Sequence, residues 1–185
     1  MYDTRRALLG GIATGIVGTA GCTGATDGGE DFTLTTSAFD AGETIPRRYT
    51  CEGADESPPL SVSGVPDAAE TLGVVVDDPD APGATFTHWL LWNVPGETTA
   101  IPAAVATTET VDALDGARQG ENDFGDVGYR GPCPPTGDGP HTYRFRGYAV
   151  DSTVDVAAGS DASAVTDALE DASLVTDVLT GTFER

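Results

Sequence analysis

The sequence predicts a mainly β, β-rich α+β single domain with one helix near its C-terminal end, on three observations. Apolar and polar residues alternate at period two in several short runs. Glycine and proline, 24 and 12 of 185 residues, interrupt those runs every few positions. Convincing helical spacing of apolar residues occurs in one segment only. A chain of this length is enough for one sizeable core and short for two ordinary domains.

The elements follow in order. Phe32 to Phe39, FTLTTSAF, alternates as a half-buried strand should, and Asp40 to Gly42 forms a turn. Gly42 to Pro66 holds too many prolines for a helix and reads as irregular chain with short edge strands. Thr71 to Val76 is a β-branched run suited to a strand covered on both faces. His88 to Val94, HWLLWNV, is its expected partner and a central strand, since bulky residues fall on both sides. Ile101 to Asp126, with Gly116, Gly120 and Gly125 and few large apolar groups, reads as a long surface excursion. Thr142 to Val150 alternates clearly and is a strand. Ser160 to Ser173 is the helix, capped by Ser160 or Asp161, with Val165, Ala168, Leu169 and Ala172 on one face. Val175 to Thr180 reads as an extension or repeat of that helix before the terminal TGTFER.

Thirty acidic residues face nine basic ones, all arginine, for a formal charge of −21. Nucleic acid and anionic surfaces need clustered cations, so nucleic-acid binding is excluded as a partner class. An acidic, halophilic-type surface kept soluble by net charge explains the composition, and high salt would screen its self-repulsion. At the other end of the chain, Arg5 and Arg6 precede a weakly apolar Gly/Ala-rich run ending at Thr19, Ala20, Gly21 and Cys22. This resembles a twin-arginine signal peptide over residues 1–21 with a lipoprotein-type processing site. The run is short and glycine-rich against the about 20 apolar residues a membrane helix needs. Cys22 is the candidate for lipidation, although Thr19 stands where such sites prefer leucine. Residues 22–31 then form a flexible tether, and 32–185 the folded domain. The expected location is outside the cell membrane, anchored through the N-terminal lipid.

Two stretches carry the chemistry. Asp77 to Trp89, DDPDAPGATFTHW, follows a strand end and contains His88, one of two histidines. Gly128 to Tyr143, GYRGPCPPTGDGPHTY, contains the other, His141. Neighbouring carboxylates at Asp77, Asp78 and Asp80 repel one another, so at least one is expected to find a donor or a histidine. Prolines at 79 and 82, and at 132, 134, 135 and 140, stiffen both loops, and Gly128, Gly131, Gly137 and Gly139 allow backbone N–H groups close to a ligand. His141 and Tyr143 share a strand face. Two imidazoles, a phenol and loop amides suit a compact anion such as a phosphate or carboxylate. Asp78 or Asp80 would keep an imidazole charged or bond a protonated phosphate.

DPDAP followed by HW, then GYRGPCPP, Gly137 and HTYRF, resemble the two signature regions of the phosphatidylethanolamine-binding protein family, in its bacterial and archaeal Raf-kinase-inhibitor-like branch. IPRRYTCEGADESPPL from Ile45, SGVP from Ser63 and QGENDFG from Gln119 support the resemblance. It implies a central antiparallel sheet, a second smaller sheet, C-terminal helix, and a small anion pocket for a phosphoryl headgroup. Carried over by position, the ligand would meet Asp78, Asp80, Pro82, His88, Gly131, Pro132, Pro135, His141 and Tyr143. Val62 stands where relatives commonly have tryptophan, which would reshape a pocket wall. Phe183 stands where tyrosine is frequent, and the C-terminal helix lacks the aromatic or histidine some relatives present to the site, which leaves the pocket's lid open.

With Cys22 lipidated, Cys51 and Cys133 remain. An oxidising compartment favours a disulfide between them, and two buried thiols are the alternative. Three functions compete: a binding module for a small anionic ligand or phospholipid headgroup, a regulator or inhibitor of a protein partner, and a hydrolase in which His88, His141 and an Asp hold a metal. The first is preferred. No HxH or HxxxH spacing argues for a metal, no GxSxG elbow argues for a serine nucleophile, and no cofactor is expected.

Overall fold

The computed structural model describes residues 31–185. The expected signal peptide, Cys22 and the expected tether up to residue 30 lie outside the described residues. Two antiparallel sheets pack face to face, with one helix on the outer side of the larger. The small sheet joins β1 (Thr33–Thr35), β2 (Leu60–Ser63) and β5 (Ala100–Ile101) in the order β1-β2-β5. The large one contains β3 (Thr71–Asp78), β4 (Phe86–Pro95), β6 (Thr110–Val111), β7 (Ala117–Gln119), β8 (His141–Val150) and β9 (Ser173–Phe183). Its order is β6-β7-β4-β3-β8-β9.

Strand β3 is buried at every position because both faces are covered. Val74 and Val76, with Trp89, Leu91 and Phe145 from its neighbours, face Leu34, Leu60, Val62 and Ile101 of the small sheet. Val75, with Leu90, Trp92 and Tyr148, turns the other way onto α1 (Ala162–Asp171). The period-two pleat therefore splits one run of valines between two cores. The Asp161 side chain caps α1 by accepting from Ala164 N at 2.9 Å. Leu169 reaches the sheet over Gly73, where a Cβ would lie 2.6 Å from Leu169 Cδ2, so any larger residue would push the helix away. Val165 and Leu169 are fully buried, and burial of such side chains stabilises by about 1.5–3 kcal/mol each.

Two expectations are corrected. Val175 to Thr180 does not continue the helix: it lies within β9, paired along its length with β8. Val175, Thr176, Val178, Thr180 and Thr182 are β-branched, and the open edge of β8 offers their backbone a ladder that a second helix would forgo. Ile101 to Asp126 is also more than a surface excursion. Val105, Val111, Leu114 and Ala117 enter the inter-sheet core, and β7 pairs with β4. Buried Gln119 takes the Trp89 indole N–H (2.6 Å) and donates to Ala106 O and Thr108 O. A glutamine that satisfies three groups organises this segment where apolar bulk is sparse.

Candidate functional site

The β3–β4 hairpin sorts its acidic residues by the pleat. Asp77 points to the outer face and meets Arg144 Nε (2.7 Å) and Arg146 Nη2 (2.9 Å). Asp78, one residue on, points inward, where its Oδ2 lies 2.8 Å from His141 Nδ1. Its other oxygen accepts Asp80 N at 2.9 Å, and Asp80 in turn accepts Thr142 N at 2.8 Å. The DPDAP loop is thus folded back onto the start of β8, and the three carboxylates are separated in space.

The two histidines differ in state. Carboxylates lie at both nitrogens of His141, with Asp138 Oδ2 3.3 Å from Nε2, an arrangement that favours the doubly protonated imidazolium over the neutral ring. Burial lowers its pKa, but the hydrogen bond and charge of Asp78, helped by Asp138, outweigh this and raise it. At His88 the hydrogen-bonded acceptor is Arg130 O, 2.8 Å from Nδ1, with the Gly131 backbone also acting on the ring. A carbonyl cannot donate, so Nδ1 holds the proton and Nε2 is left without a partner among the described residues. Burial dominates here and lowers the pKa, which leaves the ring neutral. Tyr143 packs edge-on against His88, ring centroids 5.2 Å apart. Burial, then the charge of Asp78, push its phenol far above the ordinary value. Its buried hydroxyl has no well-formed hydrogen bond among the described residues.

The second motif is seated on the Ile45–Leu60 segment. Asp55 accepts Gly131 N (2.7 Å) and Arg130 Nε (2.9 Å), the Tyr129 hydroxyl donates to Tyr49 O (2.8 Å), and Cys51 N donates to Pro132 O (3.2 Å). A Cβ on Gly131 would fall 2.3 Å from Tyr49 O, so only glycine permits this approach. Cys51 and Cys133 form a disulfide, Cα atoms 5.5 Å apart. From the far end of the chain, Arg185 donates through Nε to Pro134 O (2.8 Å) and accepts Gly137 N at its carbonyl (3.0 Å). The expected supply of free loop amides is therefore mostly spent inside the protein: Gly128 N goes to Gly120 O, Gly131 N to Asp55 and Gly137 N to Arg185 O.

Between the motifs lies a cavity of about 240 Å³, bordered by Asp78, Pro82, His88, Pro135 and His141 among the expected residues. Asp80, Gly131, Pro132 and Tyr143 do not border it: Asp80 is exposed on its loop, Gly131 and Pro132 are engaged by Asp55 and Cys51, and Tyr143 is buried against His88. Ala81, Phe86, Phe124, Cys133 and Pro134 also border it and were not anticipated. Phe124 arrives from the segment read as a surface excursion, because buried Asn122 accepts Phe124 N and Asp126 N and donates to Gly128 O. Its ring packs edge-on against both Phe86 and His88, under the Arg130 guanidinium. Val62 lies in the inter-sheet core and not in the cavity wall, and α1 sits on the opposite face of the sheet, so neither shapes this pocket. Phe183 pairs with His141 in the β8–β9 ladder, buried beside the site. A wider groove of about 430 Å³, from Val62 to Ala69 and Gly96 to Thr99, contains no histidine or arginine. No cluster of His, Cys, Asp and Glu suited to a metal occurs among the described residues.

Residues 35–184 match the phosphatidylethanolamine-binding protein family. The chain belongs to this family. It is 42% identical over 175 residues to a UPF0098 protein of Pyrococcus horikoshii, covering 94% of this chain and 87% of that one. A UPF0098 protein of Methanothermobacter thermautotrophicus is 43% identical over 152 residues, 82% of this chain and 98% of that one. Among solved structures, the Escherichia coli phosphatidylethanolamine-binding-protein family member YbcL superposes with a TM-score of 0.79 at 34% identity, over 84% of this chain and 99% of its own. A homologue from Chlamydia trachomatis gives 0.74 at 33% identity, over 83% and 97%. The two-sheet fold with a helix late in the chain is the phosphatidylethanolamine-binding protein fold.

Proposed function

We propose that the protein is a binding module, not an enzyme, and that the cavity takes a small monoanion, a phosphoryl or carboxylate group on a short apolar stem such as a phospholipid headgroup. The observation that carries this reading is His88 at the cavity, its Nε2 without a hydrogen-bond partner among the described residues, beside an Asp78–His141 pair whose atoms are already engaged with each other. An anion reaching His88 favours its protonated form, and the proton that arrives supplies the missing donor. Phe86, Phe124, Pro82, Pro134 and Pro135 offer apolar surface to the stem. At about 30 Å³ per water, the cavity has room for roughly eight waters, enough for a phosphoryl group with a short substituent. No arginine borders it, which disfavours dianions and polyphosphates.

Thermal unfolding with acetate, phosphate and phosphoethanolamine tests the reading, since a ligand of the native state raises the midpoint. A rise with at least one of them, abolished by His88→Ala, is expected. No rise with any at millimolar concentration, in the salt the protein requires, would overturn it. We further propose that the domain is exported and held at the outer face of the cell membrane through Cys22. The Cys51–Cys133 disulfide supports an oxidising surrounding. Cys22→Ala should move the protein from the membrane fraction to the medium; retention in the membrane would count against the anchor.

A further inference from the structure

The Cys51–Cys133 disulfide joins two segments that build the site, and its halves sit in different surroundings. Cys133, held between Pro132 and Pro134, borders the cavity, and Cys51 does not. On the other side, Arg185 Nη1 lies 3.9 Å from Cys51 Sγ in an exposed contact. One half of the bond therefore meets a small-molecule pocket, and the other meets a guanidinium.

That asymmetry decides how the bond opens. In thiol–disulfide exchange a thiolate attacks one sulfur, and the other leaves as a thiolate, faster the lower its pKa. A neighbouring arginine lowers the pKa of a thiol, so Cys51 is the better leaving group and Cys133 the sulfur attacked. The residue attacked is thus the one that the cavity reaches. Apart from His88, Cys133 and the Asp78–His141 pair, the lining is alanine, proline and phenylalanine, so a molecule held at His88 has the disulfide as its one electrophile.

We propose that the pocket is a thiol–disulfide exchange site for small anionic thiols, with the anion at His88 and the sulfur delivered to Cys133. The proposal rests on the proposed anion pocket and adds to it a stoichiometric reaction of the protein itself, not a catalysed turnover. The incoming thiolate RS⁻ bonds to Cys133 Sγ as the Cys51–Cys133 bond breaks, and Cys51 departs with the electron pair as a thiolate beside Arg185. The product is a mixed disulfide of Cys133 with the thiol. Attack by a second RS⁻ on the outer sulfur releases RSSR and leaves Cys133 as a thiolate; overall two RSH are oxidised to RSSR and the protein gains two thiols. The wall does not depend on the bond alone. Cys51 N to Pro132 O, Arg185 Nε to Pro134 O and Gly131 N to Asp55 bridge the same segments, and the flanking prolines restrict the backbone at Cys133. Cys51 therefore stays within reach, and the step reverses when the thiol departs.

Charge supplies a test that unguided reaction cannot imitate. Thirty acidic residues against nine basic repel anionic reagents, so exchange without a pocket favours a neutral thiol. The compounds 2-mercaptoethanesulfonate and 2-mercaptoethanol carry the same two-carbon thiol stem, with and without a monoanion. Opening of the disulfide in the purified protein is followed at about pH 7 by alkylation and mass spectrometry, with rates expressed per thiolate. The sulfonate is expected to react about tenfold faster or more, with a rate that saturates, and to place its first adduct on Cys133. Acetate or phosphate, whichever raises the unfolding midpoint, should slow the sulfonate and leave mercaptoethanol unaffected, and His88→Ala should remove the difference between the two thiols. The competition uses the unaltered protein, so it stands even where the variant is destabilised. If an anion raises the midpoint but the sulfonate has no advantage, or its adduct forms on Cys51, exchange is overturned and the anion pocket stands. If no anion raises the midpoint and the neutral thiol is the faster, both fall together.

Discussion

His88 and His141 border one cavity and come from the two motifs, yet they are opposite devices. His141 is clamped between Asp78 and Asp138, its charge settled by the fold. Among the described residues His88 has a carbonyl hydrogen bond at Nδ1, aromatic neighbours and no hydrogen-bond partner at Nε2, so its charge is left to whatever enters. A fixed ion pair gives the pocket shape, and an unpaired neutral base gives it response. Residue type alone does not separate these roles; the number of acceptors around each ring does.

The largest expected effect comes from breaking the fixed half. Asp78→Ala leaves a buried imidazolium without its main counter-charge, and removal of one partner from a buried pair costs about 3–5 kcal/mol. Urea unfolding should show that loss, together with loss of anion binding. A cost below about 1 kcal/mol would mean that the pair is solvated and does not frame the site.

Next is the responsive half. His88→Ala should abolish anion binding as read by calorimetry while the His141 ring keeps its titration by NMR. Retained binding would transfer the role to the His141 side. The sign of pH dependence then separates the rings within one protein. His88 has a lowered pKa and must gain a proton to hold an anion, so affinity for acetate should rise as pH falls toward that pKa, approaching about tenfold per pH unit above it. His141 has a raised pKa, so its contribution to folding stability is fully present below the unfolded value and is lost as pH rises through the folded one. Stability without ligand should accordingly decline from about pH 6.5 upward. Asp78→Asn should remove most of that slope and Asp138→Asn a smaller part. An affinity for acetate that is flat between pH 8 and 6 would contradict the neutral state of His88.

The contrast also shows what was legible in the residues. Both motifs, both histidines and the β-rich architecture could be read because each rests on contiguous chemistry: a Pro-stiffened loop, a period-two strand, a resemblance carried by long runs. The pocket's other wall could not. Phe124 depends on the Asn122 side chain folding a glycine-bounded loop, and Asp55 acts from a segment that looks like ordinary irregular chain. Strand β9 was misread because its valines and leucine fit helical spacing as well as a pleat over a few residues, and only the partner strand decides between them. The amides expected to meet a ligand were assigned from glycine content, which marks close backbone approach but not what approaches; at Gly131 the neighbour is Tyr49 and Asp55 of the same chain.

The smallest expected effect lies at Arg185, far from both motifs in sequence. It pins Pro134 and Gly137 by one side-chain and one backbone bond, and its Nη1 lies 3.9 Å from Cys51 Sγ. The wall opposite His88 is thus tied by the disulfide on one side and by this residue on the other. Arg185→Ala removes the Nε bond and leaves the backbone one, so one part-exposed hydrogen bond from a charged donor, on the order of 1 kcal/mol after solvent screening, is at stake. Anion affinity should fall by a few fold with the unfolding midpoint nearly unchanged, and amide exchange at Asp138 should quicken. Arg185→Lys keeps the charge but not the planar donor, and should behave like alanine if wall geometry is the cause. Recovery of affinity in the lysine variant would instead assign Arg185 a long-range electrostatic role, a positive charge on the wall that also carries Asp138.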